Sequence, residues 1–168
     1  SRQQEAMVGG FKDIYGGETT VARLWRWIID LEQGTVSEEQ LDDGACDFPR
    51  INDDRIGLYS QFGYCMQLET DVKDLTFGEN LYKYRLETGK RIDHHLGDNV
   101  AGGEPVFAPK PGATEEDEGW ILSLVHERES RRSKLIIIDA QSFDQPPVAE
   151  VIIPQRVPYG AHGSWIQN

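Results

Sequence analysis

The feature that most constrains the fold is a strand–turn–strand unit that recurs three times along the chain. The copies read "RWIIDLEQG" from Arg26, "LYKYRLETG" from Leu81 and "LIIIDAQSF" from Leu135. Gly34 and Gly89 end the first two copies at the same place, and successive copies are separated by about 55 residues. In each copy a turn and a second strand running back follow the first strand, so the repeat predicts antiparallel hairpins that stack into sheets.

The hydrophobic pattern within each copy is that of a strand with one apolar face. Further strands lie between the copies, "LYSQFGYCMQLE" and "GWILSLVHE", and the second is apolar on both faces as an inner strand is. We therefore predict an all-β chain of about three four-stranded blades of a β-propeller, with an all-β sandwich as the alternative. The residues expected on the apolar face are Trp27, Ile29 and Leu31, then Tyr82, Tyr84 and Leu86, then Ile136, Ile138 and Ala140; those on the other face are Arg26, Asp30, Lys83, Arg85 and Asp139.

Three blades cannot close a ring, and this bears on how the chain is organised. It does not begin with methionine, and residues 1–20 read as a polar, loop-like start. We expect residues 1–168 to be the C-terminal fragment of a single β-propeller domain, an incomplete ring whose other blades lie upstream.

Charge and hydropathy exclude several classes of partner. The 168 residues include 29 acidic and 17 basic side chains, a net charge of -12 that repels phosphate backbones, so nucleic acid is not expected as a partner. The sequence has no apolar run of membrane-spanning length and no signal peptide, which predicts a cytoplasmic protein. Cys46 and Cys65 lack metal-type spacing and are expected to be free thiols.

One histidine stands in an unusual setting near the end of the chain, in "VPYGAHGSWI". His162 follows a strand, the flanking Gly160 and Gly163 leave room for close backbone approach, and Trp165 can exclude water. A neutral imidazole at the end of an inner strand can point at the axis of a ring of blades. A single imidazole does not hold a metal tightly, so a closed site needs further ligands.

The other three histidines look structural. His94 and His95 lie in "KRIDHHLGDN", which reads as an exposed turn, and His126 ends the "GWILSLVH" strand. The acidic run from Glu115 to Glu118 lacks the alternate ligand spacing of a calcium loop and is expected to be a solvated hairpin turn.

Two carboxylates lie one or two residues before a proline, and each has two possible roles. Glu104 lies in "AGGEPVF" and Asp47 in "CDFPRIN". Either is explained by ordinary turn chemistry, or by a carboxylate that accepts a hydrogen bond from the free nitrogen of a metal-bound imidazole. The pattern of residues alone leaves both readings open.

Taken together, the motifs resemble those of the carotenoid cleavage oxygenases. "DFPRIN", "LYKYRLETGK", "GGEPVF", "EEDEGWILSLV", "LIIIDAQSF" and "IPQRVPYGAHGSWI" occur in that family's order and spacing, from about Leu24 to Ile166. The resemblance implies a seven-bladed β-propeller with a helical cap and a non-haem Fe(II) on the axis held by four histidines. It makes His162 the last ligand and places the other three upstream of this chain.

The resemblance also implies roles for the two carboxylates. Glu104 matches the family's glutamate in "GGEPVF", which supports a neighbouring ligand histidine. Asp47 matches a glutamate before "FPRIN", and here the sequence departs from the family because aspartate is one methylene shorter. None of His94, His95 or His126 falls on a ligand motif, so this chain alone is expected to bind iron weakly and to be inactive.

The function implied is that of an Fe(II)-dependent dioxygenase. Its partners are O2 and an apolar conjugated alkene, a carotenoid or apocarotenoid, whose C=C bond is cleaved to aldehyde or ketone products. The "VPYG" before His162 favours carotenoid cleavage over the alternative, a lignostilbene-type substrate. A non-catalytic propeller binding module is the alternative from another class. Membrane contact is not visible in the portion of the protein that this chain represents.

Overall fold

The computed structural model describes residues 21–70, 76–158, 160 and 162–166, and the predicted loop-like start falls outside them. Apart from one short 3-10 turn, Asp53–Arg55, every regular element in these residues is a strand, so the predicted all-β class is confirmed. No helix in this part of the chain is long and apolar enough to cross a bilayer. The strands are β1 Arg23–Asp30, β2 Thr35–Arg50, β3 Phe62–Glu69, β4 Thr76–Arg85, β5 Lys90–His95, β6 Val100–Ala101, β7 Val106–Pro109, β8 Gly119–Glu127, β9 Arg132–Asp139 and β10 Ala149–Ile153.

All strand pairs are antiparallel and fall into two ladders. The first runs β1-β2-β3-β4-β5; the second runs β10-β9-β8, with β6 and β7 both pairing with β8. The long strand β2 pairs with β1 over its first half and with β3 over its second half. The described residues thus form two blades, preceded by the β1–β2 hairpin. One runs from the second half of β2 to β5 and the other from β6 to β10, and the second is four-stranded when β6 and β7 are counted as one interrupted edge strand on β8.

The hairpins of the repeat occur where the sequence predicted them, at β1–β2, β4–β5 and β9–β10. Gly34 and Gly89 adopt φ of +65° and +67°, a left-handed conformation that glycine enters without steric cost. A Cβ on Gly89 would also lie 2.6 Å from the carbonyl oxygen of Leu41. The second turn glycine is therefore required both for its backbone angle and for space.

Two hydrophobic clusters cover the β2–β5 blade on both faces. The smaller joins Cys46, Cys65, Tyr82 and Tyr84 to Leu24 of the first hairpin, and both cysteines are free and buried as expected. The larger lies between the two blades, so that each blade provides the apolar surface that the other buries. Its main members are Tyr64, Met66, Leu68 and Leu81 from the β2–β5 blade, and Phe107, Ile121, Val125, Ile136, Ile138, Ala140 and Phe143 from the other.

The first copy of the repeat departs from the predicted burial. Leu31 lies in the turn after β1 and is 90% exposed, while Ile28 and Ile29 are also largely exposed. Within the described residues, most of the neighbours of β1 belong to β2. The apolar face predicted from the pattern therefore has no sheet packed on it in this part of the chain.

Lys83 was predicted on a charged face and is instead 5% exposed between the blades. Its Nζ donates to Asp117 Oδ2 at 2.6 Å and to the carbonyl oxygen of Ala140 at 2.7 Å, and it lies 4.3 Å from the centroid of the Phe62 ring. These partners compensate for removing the ammonium group from water. An ion pair therefore joins β4 to the other blade.

The acidic run before β8 lies in the β7–β8 hairpin turn as expected, but Glu116 within it is not solvated. One carboxylate oxygen of Glu116 accepts hydrogen bonds from the backbone amides of Gln61 and Phe62, at 2.8 and 2.9 Å. The Glu116 side chain is 4% exposed. The run thus ties the loop before β8 to the start of β3.

Replacing Lys83 with methionine should destabilise the chain by about 3 kcal/mol, because it leaves the Asp117 carboxylate half-buried without its cation. Urea unfolding measures the loss. The matched control is Lys134→Met, since Lys134 pairs with Glu127 and Glu150 in a more exposed setting, and it should cost less than about 1 kcal/mol. Equal losses in the two variants would contradict this account.

Candidate metal centre

The imidazole of His162 is held by a buried carboxylate. His162 Nδ1 lies 3.0 Å from Glu104 Oε1, and the amide of Gly163 donates to Glu104 Oε2 at 2.5 Å. The Glu104 side chain is 8% exposed and that of His162 is 69% exposed. An ionised carboxylate only accepts hydrogen bonds, so Nδ1 carries the proton in this contact. The neutral imidazole is thereby left with its lone pair on Nε2, the atom that can bind a metal.

Glu104 is positioned by a break in an edge strand. Residues 102–105 separate β6 from β7, both of which pair with β8. A Cβ on Gly103 would lie 2.3 Å from the carbonyl oxygen of Leu124, so no other residue fits without moving the backbone. The Ser123 hydroxyl donates to the carbonyl oxygen of Gly103 at 3.0 Å. Gly103 of "GGEPVF" therefore lets this segment lie directly against β8.

An arginine at the end of β2 contacts the same carboxylate. Arg50 Nη1 donates to Glu104 Oε1 at 3.1 Å, and Nη2 donates to both carboxylate oxygens of Asp53 at 3.0 and 3.1 Å. Burial alone lowers the pKa of Arg50, but its hydrogen bonds to Glu104 and Asp53 outweigh it and raise the pKa. The guanidinium stays charged, and it places a positive charge against the carboxylate that accepts the hydrogen bond of the imidazole.

Asp47 lies on the same strand, three residues before Arg50, and its carboxylate is turned to its own neighbour. Asp47 Oδ1 accepts a hydrogen bond from the amide of Phe48 at 2.7 Å. Burial raises the pKa of Asp47, whereas this hydrogen bond and the positive charge of His162, when that ring is protonated, act in the opposite direction. Asp47 therefore lies near His162, but the hydrogen bond that its carboxylate accepts is made within the turn.

Phe48 supplies an aromatic wall for the imidazole. Its ring centroid lies 5.5 Å from that of His162 with the planes at 68°, and 5.9 Å from that of Phe77. The backbone of Phe48 has φ of +53°, in the left-handed region, where the β2–β3 register shifts between Asp47 and Arg50. A bulge of this kind re-aims a side chain at the edge of a sheet.

The sequence named three residues for this site, and the structure relates them unequally. Glu104 contacts His162 itself, whereas the resemblance implied that the partner of Glu104 is a neighbouring ligand histidine. The structure places Asp47 nearby without a direct bond to the imidazole. The sequence did not predict roles for Arg50 and Phe48, although both lie in the motif "CDFPRIN" beside Asp47.

His94 and His95 belong to strand β5 and not to the expected turn; His95 is exposed as expected, whereas His94 is not. His94 is 4% exposed and its Nδ1 lies 2.7 Å from the carbonyl oxygen of Phe143. Burial lowers the pKa of His94. This histidine therefore packs between the two blades, which is a structural role.

His95 forms a surface cluster that the sequence did not reveal. Its Nε2 lies 3.3 Å from Asp98 Oδ1, and with Glu79 these residues bring three ligand atoms within 4.8 Å of one another. Asp98 is almost fully exposed, and its hydrogen bond to His95 explains why these two side chains lie close together without a metal ion. His126 lies on β8 as predicted, opposite Ala101.

An apolar cavity of about 280 Å³ opens beside His162. Its walls include the link that carries Glu104, strands β8 and β9, and the segment around His162. The site therefore combines the His162 imidazole with a largely hydrophobic surface, which His126 of β8 also lines. The apolar side chains on the walls are Phe77, Val106, Leu122, Leu124, Val125, Leu135, Val157, Pro158 and Trp165.

Stacked antiparallel blades are the architecture of β-propellers, and an imidazole held by a carboxylate is an arrangement typical of metal-ligand sites. Comparison with known proteins gives the family. Residues 2–167 match the family described as RPE65, retinal pigment epithelial membrane protein. The chain belongs to this family, that of the carotenoid cleavage oxygenases, and the predicted propeller class is confirmed.

Individual relatives agree with this assignment. The chain is 30% identical over 160 residues to the apocarotenoid-15,15'-oxygenase of Synechocystis sp., covering 95% of this chain and 32% of the relative. It is 35% identical over 153 residues to a carotenoid cleavage oxygenase of Mycobacterium tuberculosis, covering 89% and 30%. It is 30% identical over 163 residues to the isoeugenol monooxygenase of Pseudomonas nitroreducens, covering 90% and 34%. The chain thus spans about a third of the length of these relatives.

A solved structure gives the same alignment in three dimensions. The cobalt-substituted Synechocystis apocarotenoid oxygenase superposes with a TM-score of 0.81 at 29% identity. The superposition covers 93% of this chain and 33% of the other.

The left-handed backbone at Phe48 predicts an inverted preference between alanine and glycine. Both substitutions remove the ring, but alanine keeps the steric cost of positive φ, so Phe48→Gly should be more stable than Phe48→Ala by about 1 kcal/mol. Urea unfolding of the two variants measures the difference. At Phe62, in strand β3, the order should be the ordinary one, with glycine less stable. An alanine variant at position 48 as stable as the glycine variant would contradict the bulge geometry.

Proposed function

We propose that this chain provides one ligand, His162, to a non-haem Fe(II) centre in a dioxygenase that cleaves a conjugated C=C bond of carotenoids or apocarotenoids. The observation that carries the proposal is the contact between His162 Nδ1 and Glu104 Oε1. It orients the imidazole and leaves Nε2 for a metal. The relatives named as carotenoid and apocarotenoid oxygenases supply the class of substrate.

The donor set fits such a metal in part. Imidazole nitrogen suits first-row transition metals, and one matched structure is of a cobalt-substituted relative. Of the other histidines in the described residues, His94 is buried against Phe143 and His95 is on the surface, while His126 of β8 lines the same cavity as His162. The remaining ligands of the four-histidine centre that the resemblance implies are proposed to come from further blades of the ring. When bound, the iron would supply the activation of O2.

The residues of this chain have roles that do not depend on the rest of the ring. Glu104 fixes the tautomer and the orientation of His162, and Phe48 packs edge-on against the imidazole. The cavity beside His162 offers apolar side chains, which suit a hydrocarbon chain better than a charged substrate. Holding the alkene against hydrophobic walls would place its double bond and exclude water.

A second candidate substrate is an alkene conjugated to a phenol ring, as in stilbenes. One observation favours retaining it: the similarity to an isoeugenol monooxygenase covers 90% of this chain. Residues that would recognise a phenol hydroxyl are proposed to lie in the part of the propeller that this chain does not include.

Replacing His162 with alanine tests the proposal in the protein expressed from the complete open reading frame. The variant should lose its iron, measured by metal analysis, and its cleavage of an apocarotenal should fall to background, because the centre loses a ligand. His95→Ala is the matched control, since His95 lies on the surface, and it should keep both. Retained iron and activity in the His162 variant would refute the assignment.

The same preparation decides between the substrates. An apocarotenal and a hydroxystilbene are supplied separately with O2, and the aldehyde products are identified by mass. Cleavage of the apocarotenal is the expected result, and exclusive cleavage of the hydroxystilbene would establish the second candidate in its place.

A further inference from the structure

One guanidinium joins three separate segments around His162. Arg50, the last residue of β2, contacts Glu104 in the β6–β7 link, Asp53 in the 3-10 turn, and the carbonyl oxygen of Gly163. The Nη1 to Gly163 distance is 2.6 Å, across 113 residues of sequence. The Arg50 side chain is 17% exposed; its bonds to Glu104 and Asp53 are partly buried, and its bond to Gly163 is exposed.

The bonds among Arg50, Glu104 and Gly163 form a closed triangle. Arg50 Nη1 donates to Glu104 Oε1 and to the carbonyl oxygen of Gly163, while the amide of Gly163 donates to Glu104 Oε2. Glu104 Oε1 is the same oxygen that faces His162 Nδ1. Arg50 therefore holds both Gly163, the residue after His162, and the carboxylate that accepts the hydrogen bond from His162 Nδ1.

We propose that Arg50 is a positioning residue for His162, which fixes the imidazole from two sides by holding the Glu104 carboxylate and the Gly163 peptide at once. The proposal deepens the proposed function, because it concerns how the ligand imidazole is aimed. The contacts of Arg50 on which it rests are made by residues of this chain alone, without a metal.

The chemistry of the side chain explains why this position carries arginine. A guanidinium is a planar fork, and here Nη2 takes both oxygens of Asp53 while Nη1 takes Glu104 and Gly163. A lysine ammonium is a compact point charge that cannot reach Asp53 and Gly163 in the same geometry. Charge alone is therefore not sufficient, and lysine should not replace arginine here.

Hydrogen exchange of the Gly163 amide tests the proposal in the 168-residue chain without metal. In Arg50→Lys and in Arg50→Met, this amide should exchange about tenfold faster or more, because the carboxylate that accepts its hydrogen bond is no longer held. NMR of the isotope-labelled chain follows the Gly163 amide alongside the amides of Ile121 and Ile138, which lie on paired central strands of the other blade. Those two amides should exchange at the unchanged rate.

A matched control separates a local role from general loss of an ion pair. Arg91 also forms two ion pairs, with Asp42 and Asp93 at 2.7 Å each, on the β4–β5 side of the same blade. Arg91→Lys should leave the Gly163 amide as it is in the parent chain.

Two results would overturn the proposal. One is unchanged exchange at Gly163 in both Arg50 variants. The other is faster exchange at Gly163 that is matched at Ile121 and Ile138, which would show that Arg50 supports the fold as a whole. Neither result depends on iron, so a failure here is distinct from retained activity in the His162→Ala variant, which would instead remove the proposed function.

Discussion

The packing of the two four-stranded blades against each other is the constraint on which the rest of the structure depends. The apolar cluster between them is closed by ionic and polar contacts: Lys83 with Asp117, and Arg128 with Glu69 and the carbonyl oxygen of Phe77. The candidate site is assembled across this interface, because Phe48 and Arg50 come from one blade and Glu104 from the other. Its distances are therefore set by the rigidity of a packed core, which small displacements do not deform continuously.

At the site itself, one carboxylate organises the surroundings of the imidazole. Glu104 is largely buried and receives three donors, from His162, Gly163 and Arg50. Hydrogen bonds that involve a charged partner are shorter and stronger than neutral ones, so a carboxylate held by arginine is a firmer support than a turn carboxylate exposed to water. Of the two readings left open by the sequence, the contact with imidazole describes Glu104, and the turn contact describes Asp47.

The strand repeat and the closing motif made much of this predictable. Alternation predicted the buried faces at Tyr82, Tyr84, Ile136 and Ile138, and the turn glycines fell where the repeat required them. Burial between blades was not predictable, because a residue such as Lys83 or Glu116 reads as surface until a second sheet supplies its partner. The same reason hid Arg50 and His94, whose partners lie many residues away in the sequence.

The central claim is that Glu104 fixes His162 with its proton on Nδ1 and its lone pair on Nε2. The most direct test is 15N NMR of the His162 imidazole in the labelled chain at a pH where the ring is neutral, with Glu104→Gln for comparison. The account predicts a single Nδ1–H tautomer in the parent chain, with Nε2 as the nitrogen perturbed when Co²⁺ is added, and a mixture of tautomers in the variant. A parent chain with its proton on Nε2, or with the same tautomer mixture as the variant, would contradict it.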